Sequence, residues 1–198
     1  MPTTDTFFNA AREELAGVLA RSQSLTPVMQ AVGAAMVACL QGGGKILACG
    51  NGGSACDALH LTEELTGRYR ANRRALPAIC LNADPAALTC IANDFGYEQV
   101  FARQVEALAV PGDLLVGFTT SGNSPNVLAA FAAARARGVR TVLVSGQQGG
   151  KARGQVDFEL LVPSTNTARV QEVHTLLLHA WLEQVEQVWA AGEGGRAG

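Results

Sequence analysis

His60 and Glu64 stand four residues apart. On a helix that spacing puts both side chains on one face, where they can converge on a single atom or ion. Imidazole and carboxylate together make either half of a metal site or an acid–base pair. The first suits zinc. The second suits removal of a proton beside a carbonyl, with the carboxylate as base and a histidine as partner acid. Further along, Gln171, Glu172, His174 and His179 interrupt a long apolar stretch, so all three histidines fall on two expected helices. Spacing pairs Gln171 with His174, three residues on, before His179, which lies eight beyond. Glutamine oxygen is an uncommon zinc ligand, and a lone helical histidine is more often a satisfied or exposed residue. Spacing alone leaves ligand and base both open.

Two turns offer a place for a substrate. The first, Gly50-Asn51-Gly52-Gly53-Ser54, follows an apolar run; its glycines permit close backbone approach, and Ser54 is placed to cap the next helix. The second, Thr119-Thr120-Ser121-Gly122-Asn123-Ser124, brings four hydroxyls to the start of a helix opened by Pro125. Hydroxyls and backbone N–H groups at the positive end of a helix are what a phosphate monoester needs. One such turn is ordinarily a connector; two at strand ends of one sheet put the ligand reading level with the connector reading. The dinucleotide pattern G-x-G-x-x-G is not completed, and Gly149-Gly150-Lys151 is followed by alanine without the Walker spacing. A nicotinamide enzyme and an NTPase are therefore disfavoured.

The elements that must hold these turns read as an alternating α/β chain. Short apolar runs at 45–50, 76–81, 114–118, 141–145 and 158–162 are bounded by glycine, proline or aspartate, as in strands buried on both faces. Helices are expected between them at 54–68, 85–92, 97–107, 125–137 and 169–190, which implies a parallel, layered sheet. Ahead of the first strand, helical periodicity over 6–22 is followed by a second helix with Thr26 as N-cap and Pro27 at its first position. This N-terminal pair, 1–41, is suited to covering the sheet or forming an oligomer interface. No repeat or linker divides the 198 residues, so one domain over 1–198 is expected, with a fraying glycine-rich tail at 191–198.

Composition narrows the class further. At 48% hydrophobic and 16% charged residues, the chain can bury a sizeable core. A formal charge of −2 argues against a general nucleic-acid binder, and the cluster Arg68, Arg70, Arg73 and Arg74 reads as a solvated surface. Five cysteines, odd in number and without a C-x-x-C pair, suit a reduced compartment. No basic segment followed by an apolar stretch opens the chain, and no apolar run of membrane-spanning length is seen, so a soluble cytoplasmic protein is expected.

Taken together, the motifs resemble those of the bacterial phosphoheptose isomerases, a branch of the sugar-isomerase (SIS) fold. The resemblance rests on Gly50 to Ser54, Asp57-Ala58-Leu59-His60, Glu63-Glu64-Leu65, Arg68-Tyr69, Asn93-Asp94-Phe95-Gly96, Thr119 to Ser124, and Arg169-Val170-Gln171-Glu172-Val173-His174 with His179 beyond. It runs from the N-terminal helices to about Trp189. The Thr/Ser loop alone marks only the broader fold, whereas the combined set is specific.

The resemblance implies a single SIS domain with a five-stranded parallel sheet, assembled as a homotetramer with active sites at subunit interfaces. The reaction implied is conversion of D-sedoheptulose 7-phosphate to D-glycero-D-manno-heptose 7-phosphate, feeding heptose into lipopolysaccharide or other surface glycans. Zinc ligands would be His60, Glu64, Gln171 and His179, with Glu64 as base and His179 as its acid partner. The sugar phosphate would meet Asn51, Gly52, Gly53, Ser54, Asn93, Asp94, Thr119, Thr120, Ser121, Ser124 and Gln171. The resemblance thus selects His179 where spacing favours His174.

One departure is Ala168, where some isomerases carry an acid. Two other classes share the fold: an assembly factor that binds the replication initiator, and a sugar-phosphate sensor. The first lacks the full set of catalytic side chains, all of which this chain has. The second usually carries a DNA-binding segment, and the N-terminal helices show no basic recognition helix.

Overall fold

Each of the five apolar runs forms a strand, and the five pair side by side in one parallel sheet. The computed structural model describes residues 4–190; the expected fraying tail lies outside the described residues. In chain order the elements are α1 (Thr4–Arg21), α2 (Thr26–Gln41), β1 (Ile46–Gly50), α3 (Gly53–Thr66), β2 (Ala78–Cys80), α4 (Pro85–Phe95) and α5 (Ala102–Leu108). There follow β3 (Leu114–Thr119), α6 (Pro125–Ala136), β4 (Arg140–Gly146), β5 (Phe158–Val162) and α7 (Thr167–Ala190).

Alternate residues of each strand feed two separate cores. Ile46, Ala48, Leu114, Val116, Val142 and Val144 face α2, α3 and α7. Leu47, Cys49, Leu115 and Leu143 face α5 and α6. Burial on both faces explains why these strands read as continuous apolar runs rather than alternating ones.

The spatial order is β2-β1-β3-β4-β5. From β1 the chain steps to one side to reach β2, and from β3 it steps to the other to reach β4. The carboxyl ends of β1 and β3, paired through Gly50 and Phe118, therefore flank the point where the winding reverses. Crevices at such points are where open α/β sheets bind ligands.

Several boundaries differ from the sequence reading. Strand β2 is only three residues long, because the Leu76 N–H turns away to the Leu65 carbonyl (3.0 Å) and Pro77 has no N–H to give. The helix expected over 97–107 is a 3-10 turn at Tyr97–Gln99 followed by α5, and α4 runs on to Phe95, stopping at Gly96 with φ +87°. Thr26 does not cap α2: a 3-10 turn over Ser22–Leu25 already has helical backbone, so Leu25 takes the cap position without a side-chain bond.

The expectation that no run is long enough for a membrane also needs correction. Thr6–Gln41 contains an 18-residue helical window of mean hydropathy 1.3, which meets the length and composition of a span. Its buried members Val32, Met36 and Leu40 lie in the same core cluster as Trp181 and Val185 of α7, the surroundings of a core helix.

Candidate functional site

Three helices begin around the cleft between β1 and β3. Helix α3 follows the Gly50–Ser54 turn, α6 follows the Thr119–Ser124 loop, and Thr167 and Gln171 at the start of α7 complete the wall. The cleft holds about 300 Å³ and is lined by Asn51, Gly53, Ser54, Thr119, Thr120, Ser121 and Ser124. Helix N-termini carry partial positive charge and unpaired N–H groups, so convergence of three favours an anion.

The backbone of both loops needs glycine. Gly52 in the first loop has φ +57° and Gly122 in the second φ +66°, backbone that L side chains rarely adopt, and the Gln171 amide rests directly over Gly53. Because Gly52 holds the N-cap position of α3, Ser54 lies inside the helix and does not cap it, contrary to the sequence reading. Its side chain is instead part of the cleft wall. Asn51 exchanges two amide bonds with Asn126, both 2.9 Å, and accepts a third from the Tyr97 hydroxyl at 3.0 Å. Across the cleft, the Thr119 and Ser124 hydroxyls bond each other at 3.0 Å. The sequence reading misses Asn126, Tyr97 and Thr167; the polar Asn126 one residue into α6 is the signal that could have found the first.

A second constellation lies between α3 and α7. His60 Nε2 is 3.4 Å from His179 Nε2 and 3.5 Å from Glu64 Oε1. Donor atoms around a tetrahedral zinc, with Zn–N of about 2.0–2.1 Å, stand about 3.4 Å from one another. His60 stands at that spacing from both His179 and Glu64, and imidazole and carboxylate are donors that suit zinc. Glu63 joins His60 and Glu64 within 4.8 Å, so a further carboxylate is at hand. Tyr69 stacks on His179 with ring centres 5.8 Å apart, and its hydroxyl bonds Glu183 at 3.2 Å. Burial and the Glu183 carboxylate raise the Tyr69 phenol above its ordinary value, so it stays a donor at neutral pH.

Gln171 stands apart from this group. Its amide rests over Gly53 at the cleft, and eight residues of helix, about 12 Å of rise, separate it from His179. The described chain thus sets Glu64 and His179 each beside His60, with Gln171 at the other constellation. His174, which spacing prefers, is fully buried against Phe118, its Nδ1 3.6 Å from Asp57. Asn93 and Asp94 are exposed on α4, bonded to each other at 2.7 Å, and do not line the cleft. In the arginine cluster, Arg68, Arg70 and Arg74 are exposed as expected, but Arg73 is buried.

Comparison with known proteins shows the family to which this fold belongs. The SIS domain family matches residues 6–146. A phosphoheptose isomerase of Helicobacter pylori is 54% identical over 151 residues, covering 76% of this chain and 79% of its own. One from Edwardsiella ictaluri is 45% identical over 184 residues, covering 92% and 94%. The solved phosphoheptose isomerase of Neisseria gonorrhoeae superposes with a TM-score of 0.88 at 40% identity, covering 93% of this chain and all of that one. A glycine-walled cleft and a histidine–carboxylate cluster thus sit on a fold shared closely with these enzymes, and the chain belongs to the phosphoheptose isomerase family of SIS-domain proteins.

Proposed function

We propose that the chain isomerises D-sedoheptulose 7-phosphate to D-glycero-D-manno-heptose 7-phosphate. The observation that carries this is the separation of two complementary constellations along α3 and α7. An open seven-carbon sugar phosphate measures about 10 Å from C1 to phosphorus at C–C bonds of about 1.5 Å. The helix rise from Gln171 to His179 is about 12 Å. A long sugar suits that distance; a triose phosphate does not.

In this reading the phosphate lies among Ser54, Thr119, Thr120, Ser121 and Ser124, with backbone of Gly52 and Gly53 close by. Asn51 and Gln171 meet sugar hydroxyls, and Asn93 and Asp94 would join them from α4. The Glu64 carboxylate takes a proton from C1 of the ketose. His179 delivers a proton to the C2 carbonyl oxygen as the C1–C2 double bond forms, giving an enediol. His179 then takes the proton of the C1 hydroxyl while Glu64 returns its proton to C2, which leaves the aldose. No electron or atom is gained or lost.

His60, Glu64 and His179 would hold zinc, whereas Gln171, the fourth ligand that the resemblance implies, rests at the cleft over Gly53 and serves the sugar in this reading. When bound, the ion would polarise the sugar oxygens as a Lewis acid. Phe7 and Phe8, 63% and 67% exposed on α1, support the homotetramer, because large apolar side chains on a surface helix favour burial against further copies. A cytoplasmic enzyme supplying heptose for surface glycans completes the reading.

The test is turnover of sedoheptulose 7-phosphate by purified protein, with and without chelator, beside Glu64→Gln. Wild-type turnover that falls about 10²–10⁴-fold in the variant is expected, the usual range for a general base. Folded protein that fails to turn over even with zinc restored would overturn the isomerase and favour the assembly factor.

A further inference from the structure

Glu64 sits in the last turn of α3, two residues before the helix ends at Thr66. The final carbonyls of a helix have no partner within it, and such turns fray. A carboxylate that must meet a substrate carbon cannot be carried on a fraying turn. Here the turn is closed from outside. The Arg73 guanidinium donates to the Glu64 carbonyl at 2.7 Å and to the Leu65 carbonyl at 3.0 Å. Its side chain is 1% exposed. A third bond, to the Arg74 carbonyl at 2.9 Å, folds its own segment onto the helix end.

The same segment is tied to the helix that carries His179. Glu186 on α7 approaches Arg73 Nε at 3.8 Å and accepts from the Arg70 and Ala71 N–H groups at 3.4 and 3.1 Å. One turn earlier, Glu183 takes Arg70 at 2.7 Å and the Tyr69 hydroxyl at 3.2 Å. Residues 67–76 thus form a strap fastened to α7 by two carboxylates, with Arg73 gripping the base-bearing turn and Tyr69 lying on His179.

We propose that Arg73 is a positioning residue for the isomerisation: its buried guanidinium clamps the last turn of α3 to α7 and so fixes the Glu64 carboxylate beside His60. The inference rests on Glu64 being the base. A planar fork can serve two adjacent carbonyls and still lie beside Glu186, whereas an ammonium is a single point of charge. Arg73→Lys therefore keeps the charge but loses the clamp.

The experiment compares Arg73→Lys, the double variant Arg73→Met with Glu186→Met, and Val105→Ala. The double variant removes the ion pair without stranding a buried charge. Val105→Ala is a control that weakens the opposite core and leaves the site alone. Each is followed by kcat and KM for sedoheptulose 7-phosphate, and by backbone hydrogen exchange in peptides covering 61–68. Both Arg73 variants are expected to lose about 10- to 100-fold in kcat, as for a small misplacement of a reacting group. KM should stay within about threefold, because the phosphate cleft is untouched. Exchange at 61–68 should accelerate in them and not in Val105→Ala.

Unchanged exchange at 61–68, unchanged kcat, or a kcat loss matched by Val105→Ala would each overturn the proposal. Glu64→Gln run alongside separates the two levels of argument. Activity retained there overturns the base and this inference with it. Activity lost there but kept in the Arg73 variants overturns this inference alone.

Discussion

The cleft between β1 and β3 and the cluster between α3 and α7 share two helices but are built by opposite means. The cleft is made of backbone: positive-φ glycines, helix N-termini and short hydroxyls a bond or two from the main chain. The cluster is made of long side chains whose reactive atoms lie several bonds from the backbone, steadied by other side chains such as Tyr69 and Glu183. A backbone cradle is rigid once the sheet forms and recognises a charge that does not change during the reaction. A side-chain cluster can adjust, which proton transfer requires, and so needs separate devices to keep it in place. Damage to the first should therefore appear in stability and KM, and damage to the second in kcat.

The sharpest way to break that comparison is Gly122→Ala. Gly122 has φ +66°, and a Cβ there would lie 1.9 Å from the Gly149 carbonyl oxygen. Left-handed backbone costs about 1–2 kcal/mol for an L-residue. Overpacking against backbone adds about 1–3 kcal/mol. The expected outcome is a fall in Tm of roughly 5–15 °C, at about 2–4 °C per kcal/mol for a chain of this size. A variant that melts like wild type and binds sugar phosphate normally would show that the cradle is not fixed by its backbone.

A smaller effect is expected from Ser124→Ala. The hydroxyl bonds Thr119 and faces the cleft, so its loss should weaken phosphate binding while the chemistry proceeds. A bond to a charged group contributes about 1.5–3 kcal/mol, so KM should rise by at least about tenfold with kcat nearly unchanged. Steady-state kinetics decide it. A kcat loss at constant KM would place Ser124 with the second region instead.

The same division explains what is legible in the sequence. Strands buried on both faces and glycine-rich turns after them announce themselves locally, and four-residue spacing is enough to put His60 and Glu64 on one helix face. Cap positions are harder to read, because Gly52 and a 3-10 turn, not Ser54 and Thr26, hand the chain into α3 and α2. Arg73 reads as solvated because, apart from the Arg74 carbonyl, its partners lie eight and nine residues back along the chain or on α7. His174 and His179 share a helix and a residue type; only the packing of α3 against α7 buries one against Phe118 and sets the other facing His60. Spacing reports which face a residue shares, whereas burial and partners depend on contacts made across the fold.

The most delicate test of the second region is Tyr69→Phe, which keeps the ring on His179 and removes only the bond to Glu183. A part-buried neutral–charged bond of this kind is worth about 1–2 kcal/mol, so Tm should fall by a few degrees. The kcat should drop no more than about threefold, because the stacked ring remains. The pH dependence carries the finer prediction. The Tyr69 phenol is raised in the folded state, by burial first and by the Glu183 carboxylate second. A raised pKa means that the folded chain holds the proton more tightly than the unfolded one. The stabilisation is therefore complete below the ordinary tyrosine value of about 10 and is lost as pH climbs above it. Denaturation curves for wild type and Tyr69→Phe should accordingly stay apart from neutral pH to about pH 10 and converge only above it, the wild type losing its advantage. Curves that stay parallel above about pH 10 would mean that the Tyr69 hydroxyl is not held by Glu183, and that the ring alone steadies His179.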